Sequence, residues 1–384
     1  MPTSWPMAPL RDVLRPVSRP EQVDAHTTYR ILGAHWYAAG LYTKDVKSGS
    51  LIQADKVYRV EQGDFVYNRL FAWKGSFAVA TVENDGCYVS NEFPCFVVDE
   101  QQLDGRYLYR YFSRQSTWEQ ALGLSSGSTP TSRNRLKEDK LLAMEIPLPP
   151  LDEQQRIVAR IEELAAKIEE ARELRQQAMK QVDSLITSLH LAASGERLVK
   201  LDEVLSLDED QQQVMLGIDY PQVGVRSFGL GLFPRETLTA SQTRYKYFNR
   251  LYRGALVMSQ VKGWEGAVAV CTDDLEGRYV SPEYRTFRCI SDRLLPEYLA
   301  ALVPTSWFWQ QLKGLTRGVG ARRERTRPEQ FVQITIPLPD VNRQANMLAI
   351  FEQIRSLKQL ETGTVAEFDA LLPSILDRAF KERS

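Results

Sequence analysis

Between Pro150 and Gly195 the chain runs without a single proline or glycine. Within that stretch Ile157, Ile161, Leu164, Ile168, Ala171, Ala178, Val182, Leu185 and Leu189 recur at steps of four and three, with one miss at Arg175. This is the seam of a coiled coil. Roughly 40 residues at 1.5 Å each make a rod of about 60 Å, too long for the core of one small domain. The lead-in is Ile146-Pro147-Leu148-Pro149-Pro150-Leu151, followed by Asp152-Glu153-Gln154-Gln155-Arg156-Ile157-Val158. The prolines hold the chain extended, so Asp152 is the expected N-cap and Glu153 complements the helix dipole.

A second rod is written in the same way. Ile334-Thr335-Ile336-Pro337-Leu338-Pro339-Asp340 repeats the lead-in, and Gln344 stands to Pro339 as Gln154 stands to Pro149. Its seam is Ile350, Ile354, Leu357, Val365, Phe368, Leu372, Ile375 and Ala379, with Gly363 as an interruption and Pro373 expected to kink or break it. Each seam needs a partner to be stable in water, and two rods of matched length supply one for each other.

The duplication extends to the rest. At an offset of 191 residues, Tyr29 and Gly33 fall on Tyr220 and Gly224, Gly40-Leu41-Tyr42 on Gly231-Leu232-Phe233, and Trp73 and Gly75 on Trp264 and Gly266. Gly86, Tyr88, Val89, Ser90 and Glu92 fall on Gly277, Tyr279, Val280, Ser281 and Glu283, and Trp118 and Gly127 on Trp309 and Gly318. Matches this rich in Trp, Gly and Tyr at one offset mark two copies of a globular unit followed by a rod. Each globular copy reads as α+β. Strands are expected at 65–67, 77–82, 87–89 and 96–98, and again at 255–258, 266–270 and 279–280. Helices are expected at 103–122 and 296–312. The paired tryptophans serve either packing or base stacking.

After each such helix comes a basic loop. Ser125 to Lys137 contains Ser128, Thr129, Arg133, Asn134 and Arg135; Thr316 to Pro328 contains Arg317, Arg322, Arg323, Arg325 and Arg327. Glycines, hydroxyls and arginines suit phosphate tracking or base reading, while a solvated loop with incidental charge is the plainer alternative. Net charge is −1, but acid collects on the rods and near Asp208-Glu209-Asp210, leaving the loops basic. The four cysteines lack C-x-x-C spacing and are expected as buried thiols. No apolar run approaches a membrane span and no secretory signal is visible, so cytoplasmic residence is expected. There is no phosphate-binding G-x-x-x-x-G-K-[ST], no Asn-Pro-Pro-aromatic run, and no metal spacing among His26, His35 and His190. Glu138-Asp139-Lys140 lacks the upstream acid of a nuclease. No catalytic residue, metal or cofactor is expected.

Two β-rich units alternating with two rods, and above all the run from Ile146 to Val158, resemble the specificity (S) subunit of type I restriction-modification systems. Gly40-Leu41-Tyr42, Gly231-Leu232-Phe233 and Gly127-Ser128-Thr129 support the likeness; the second rod departs from it at Asp340-Val341-Asn342-Arg343. The resemblance implies target recognition domains at 1–148 and 195–338, and rods at 149–194 and 339–384 that pair antiparallel with pseudo-twofold symmetry. Each domain would read half of a bipartite site in double-stranded DNA. The rods would set the spacing and dock two methyltransferase (M) subunits, and restriction (R) subunits would complete an ATP-dependent nuclease. DNA contacts are expected from Arg69, Lys74, Ser128, Thr129, Arg133, Asn134 and Arg135 in the first domain. In the second they are expected from Gln260, Lys262, Arg317, Arg322, Arg323, Arg325 and Arg327. Pairing is expected through Ile157, Ile161, Leu164, Ile168, Val182, Leu185, Ile350, Ile354, Phe368 and Leu372. The alternatives are a subunit of a type IIB-like or methylation-only complex, and a protein–protein scaffold whose basic loops are incidental.

Overall fold

The structure, a computed structural model, describes residues 5–127, 134–195, 197–314 and 325–381. It divides into two compact units, 1–172 with 364–384, and 173–363. Each is a globular domain, called a reader after the role expected of it, with half of each rod packed on it.

In the first unit a five-stranded sheet runs in the order Pro20–Gln22, Lys56–Arg59, Tyr88–Val89, Thr28–Ala34, Leu41–Ser48. Every pairing is antiparallel except Thr28–Ala34 with Tyr88–Val89. A four-stranded sheet runs Leu14–Val17, Cys95–Val98, Phe65–Tyr67, Phe77–Val79. The second unit repeats both orders: Asp210–Gln213, Tyr247–Arg250, Tyr279–Val280, Asp219–Val225, Leu232–Thr239, and Leu205–Leu207, Tyr284–Cys289, Leu256–Ser259, Val268–Val270. A two-stranded pairing ties the start of each reader to its rod lead-in, Met7–Pro9 on Glu145–Pro147 and Leu198–Lys200 on Thr335–Pro337. The long hairpins from Thr28 and from Asp219 are strands that the sequence reading did not delimit. Each expected helix is in fact two: Gly105–Phe112 and Gln115–Leu124, and Pro296–Leu302 and Ser306–Gln310. In the second copy the break falls at Pro304, which cannot continue a helix.

Glycines and tryptophans of the repeat meet in space. Gly75 and Gly266 have φ of +73° and +77°, and a Cβ there would lie 2.4 Å from the Trp118 ring and 2.7 Å from Trp309. Trp118 and Trp309 are therefore packing residues, each closing over a turn that only glycine permits. Gly75→Ala combines left-handed strain with overpacking, and an expected loss of about 2 kcal/mol should appear as a lower thermal midpoint. A midpoint equal to wild type would refute this account of the turn.

The first core joins Phe65, Tyr67, Phe77, Phe96, Tyr107 and Phe112 to Val158 and Ile161 of the first rod and Leu376 and Phe380 of the second. The second core joins Leu256, Met258, Phe287, Tyr298 and Phe308 to Ile186, Phe351 and Ile354. Tyr107 Oη donates to the Pro147 carbonyl at 2.9 Å, and Tyr298 Oη donates to Pro337 at 3.0 Å, so each reader holds the strand that launches a rod. The four cysteines are buried free thiols, and burial pushes Cys95, Cys271 and Cys289 up to about 12.

The rods are helices Leu151–Ser194 and Val341–Lys381. Within the first unit they run antiparallel, Arg172 pairing with Asp369 at 2.8 Å while Val158 and Ile161 share a core with Phe380. Within the second unit the Arg343 guanidinium donates to the Ala193 carbonyl at 3.3 Å, and Ile186 packs with Phe351 and Ile354. Ile161, Ile168 and Ile354 are buried, and Ile157, Leu164, Val182, Phe368 and Leu372 half-buried.

The expected seam needs correction at Leu185 and Ile350, which are 51% and 45% exposed. The inward positions are Val182, Ile186, Leu189 and His190 on one rod and Met347, Leu348, Phe351 and Ile354 on the other. A strict heptad serves a single partner. These half-rods pack on a partner and on a reader at once, which calls for the wider i, i+4, i+7, i+8 stripe. Two smaller corrections follow. The first rod begins at Leu151, with the Gln154 amide on the Pro150 carbonyl, so Asp152 lies in the first turn and is not the cap. The second rod does have an acidic cap, Asp340, whose Oδ1 accepts from the Arg343 amide at 2.9 Å. The helix continues through Pro373 without a break.

Candidate nucleic-acid interface

In the first reader the root of the basic loop is held against the turn that follows Phe65–Tyr67. The short hairpin Ser126–Gly127 with Asn134–Arg135 carries the loop, and the Leu136 amide donates to the Arg69 carbonyl at 3.0 Å. Asn134 is buried, and Arg135 pairs with Glu92 at 2.6 Å. The Arg69 guanidinium donates to both Glu138 carboxylate oxygens and to the Asn91 carbonyl. That hydrogen bonding holds the Glu138 carboxyl below the usual range. Lys74 Nζ lies 3.6 Å from the centre of the Trp36 ring. Thus Arg69 and Arg135 are held at the root of the loop, Asn134 is buried within it, against the expectation of a DNA contact, and Lys74 sits on the neighbouring turn. Ser128, Thr129 and Arg133 lie outside the described residues.

The second reader repeats the arrangement with different side chains. The Thr326 amide donates to the Gln260 carbonyl at 2.8 Å, matching Leu136 on Arg69. Arg325 pairs with Glu283 at 3.2 Å, matching Arg135 with Glu92. Lys262 lies 3.7 Å from Glu265, and Arg327 is exposed at the start of the short helix Pro328–Phe331. Gln260, Lys262, Arg325 and Arg327 therefore cluster, while Arg317, Arg322 and Arg323 lie outside the described residues. In both readers one arginine of the loop is spent on anchoring, and the counter-acids Glu92 and Glu283 stand among the repeat matches. That pairing across the repeat was the signal from which a buttress could have been read.

Sequence reasoning missed the aromatic border of this face. His35 stacks on Tyr42 at 4.2 Å, and Trp36 lies against Phe71 at 5.6 Å. With Lys44 and Glu92 they border a concavity of about 460 Å³. Aromatic rings interleaved with cations, beside a loop of small polar residues and arginine, form a surface able to hold phosphates and base faces. Among the described residues no group of His, Cys, Asp and Glu is arranged to hold a metal ion, and no helix is long and apolar enough to cross a membrane.

Two domains of one topology, each carrying half of each rod and a loop root held in the same way, define a duplicated α+β fold. Comparison with known proteins shows what this fold is similar to. Residues 26–178 match the family model of the type I restriction modification DNA specificity domain. The whole chain superposes on the HsdS subunit from Thermoanaerobacter tengcongensis with a TM-score of 0.57 and 18% identity, covering 100% of this chain and 98% of that one. It also superposes, at a TM-score of 0.68 and 20% identity, on a structure from work on complex assembly and conformational transition of the type I R-M system, covering 100% and 99%. No curated protein matches in sequence. The chain thus shares the fold of these subunits, and the likeness in sequence to the DNA specificity domain lies in residues 26–178.

Proposed function

We propose that the chain is the non-catalytic specificity subunit of a type I restriction-modification complex, acting in the cytoplasm. Its recognition domains, 1–148 and 195–338, each read one half of an asymmetric bipartite site in double-stranded DNA. Its rods, 149–194 and 339–384, set the spacing and seat two methyltransferase subunits, to which restriction subunits are added. The observation that supports this reading is that the root of the basic loop is held by the same backbone bond and an arginine–glutamate pair in both readers, while the side chains around it differ, as two readers of different half-sites require. Half-sites about one helical turn apart, roughly 34 Å, suit a rod of about 60 Å.

The test is methylation. The chain with its methyltransferase subunits is expected to modify adenine within a bipartite site, and the chain alone to modify and cut nothing. Modification by the chain alone, or a complex that retains all duplexes equally, would reject the proposal. Deleting one heptad from each rod is expected to change the spacing of the modified half-sites, and an unchanged spacing would remove the ruler role.

A further inference from the structure

We infer that Tyr37 and Phe228 are the sequence-independent DNA contact of the two readers: aromatic rings fixed at hairpin tips so that they press on a bound duplex. This rests on the reading above and adds to it residues that no basic-loop argument supplies.

The two positions are equivalent in the repeat, and both have left-handed backbone, φ of +59°. Among the described residues only Ala38 shares that conformation without being glycine. A bulky side chain there is strained, and strain persists where the surroundings impose it. They do so twice over. The Tyr37 amide donates to the Lys74 carbonyl at 2.7 Å and the Ala38 amide to Gly75 at 2.7 Å; the Phe228 amide donates to Glu265 at 2.7 Å and the Gly229 amide to Gly266 at 3.1 Å. Each hairpin tip is thus clamped to the turn that carries Lys74 or Lys262.

The strain brings the fold little in return. Tyr37 is 66% exposed and Phe228 57%, each resting one edge near a tryptophan at 5.8 Å and 5.9 Å. Each hairpin and the turn that clamps it carry cations: exposed Lys44 and Lys74, whose ammonium lies on Trp36, in one reader, and Arg226, which lies over Phe233, and exposed Lys262 in the other. Glu265, whose carbonyl accepts from the Phe228 amide, has its carboxylate engaged by Ser227 and Lys262. An exposed ring on a hairpin that carries cations suits a polyanion with apolar faces better than a neutral protein surface. Phe228 has no polar atom with which to read a base, and a position common to two readers of different half-sites cannot discriminate between them. The contact therefore positions the duplex, leaving the loops to read it.

The experiment uses the full chain assembled with its methyltransferase subunits and two fluorescent duplexes, one holding the methylated site and one scrambled. In Tyr37→Gly with Phe228→Gly the left-handed backbone becomes free of strain while both rings are lost. The thermal midpoint is expected to hold or rise, and affinity for both duplexes to fall together by roughly tenfold. The salt dependence should not change, because no phosphate contact is removed. Tyr37→Phe with Phe228→Tyr should retain wild-type affinity. The inference is overturned by unchanged affinity, by a loss confined to the site duplex, or by a fallen midpoint, which would make the rings part of the fold. It is equally overturned if the variant loses methyltransferase subunits while DNA affinity persists. A wild-type complex that binds neither duplex would instead overturn the proposed function itself.

Discussion

Gln344→Leu is expected to destabilise the second unit by about 4 kcal/mol, and Gln154→Leu to do the same to the first. Both glutamines are fully buried. Gln344 Oε1 accepts from the Leu295 amide at 2.9 Å, while Nε2 donates to the Arg293 and Pro339 carbonyls, each at 2.8 Å. Gln154 does the same with the Asp104 amide at 2.9 Å and the Gln102 and Pro149 carbonyls, each at 2.8 Å. One side chain so satisfies the backbone where a reader helix begins and where a rod begins. Leucine has similar volume but abandons three partners in a dry site. Each lost bond counts about 1 kcal/mol, and an orphaned buried amide adds about as much again. Urea unfolding followed by tryptophan fluorescence should show the loss, and a change under 1 kcal/mol would mean that the latch is ornamental.

The second large effect concerns acid. His190 is fully buried, and neither ring nitrogen has a hydrogen-bond partner. Its ring stacks on Phe351 at 4.6 Å and meets the edge of Tyr298 at 4.4 Å. Burial pushes its pKa down to about 3. The unfolded chain takes up this proton below about pH 6.5, whereas the folded one resists until about pH 3. The unfolded state therefore binds more protons in that window. Stability is fully present above about pH 6.5 and is lost as pH falls toward 3. By pH 4 the loss amounts to about 3 kcal/mol. The first unit places Phe380 at the corresponding point, against Tyr107 at 5.1 Å and Tyr111 at 5.4 Å. His190→Phe should accordingly remove most of this acid sensitivity and leave the second unit more stable. Parallel stability–pH curves for wild type and variant would contradict this.

Much of the architecture was legible because it is periodic. The offset that pairs Trp118 with Trp309 and Glu92 with Glu283 announced two units of one topology, and the apolar steps after Pro150 announced a rod. What escaped depends on contacts between distant segments. Nothing local distinguishes Leu185 from Ile186; the choice is made by Phe351 and Ile354, which arrive from the other rod. Arg69 and Arg135 look like free readers in sequence, yet Glu138 and Glu92 engage them after the chain has folded back. The hairpin from Thr28 was obscured by Gly33, which lies directly under the Tyr42 ring of the neighbouring strand. Gln154 and Gln344 were visible as a matched spacing, but their three-way bonding is a property of the assembled backbone.

One compact unit is assembled from two separate lengths of chain, 1–172 and 364–384, while 173–363 forms the other without interruption. A genetic exchange with crossovers near Arg172 and Gly363 would transplant 173–363 as an intact cassette and leave the donor's other unit behind. A single crossover in mid-chain would instead give the recipient a first core whose Leu376 and Phe380 came from a different ancestor. Mosaics of the first kind should fold as readily as their parents, so new pairings of the two units can arise by recombination without any redesign of the interior.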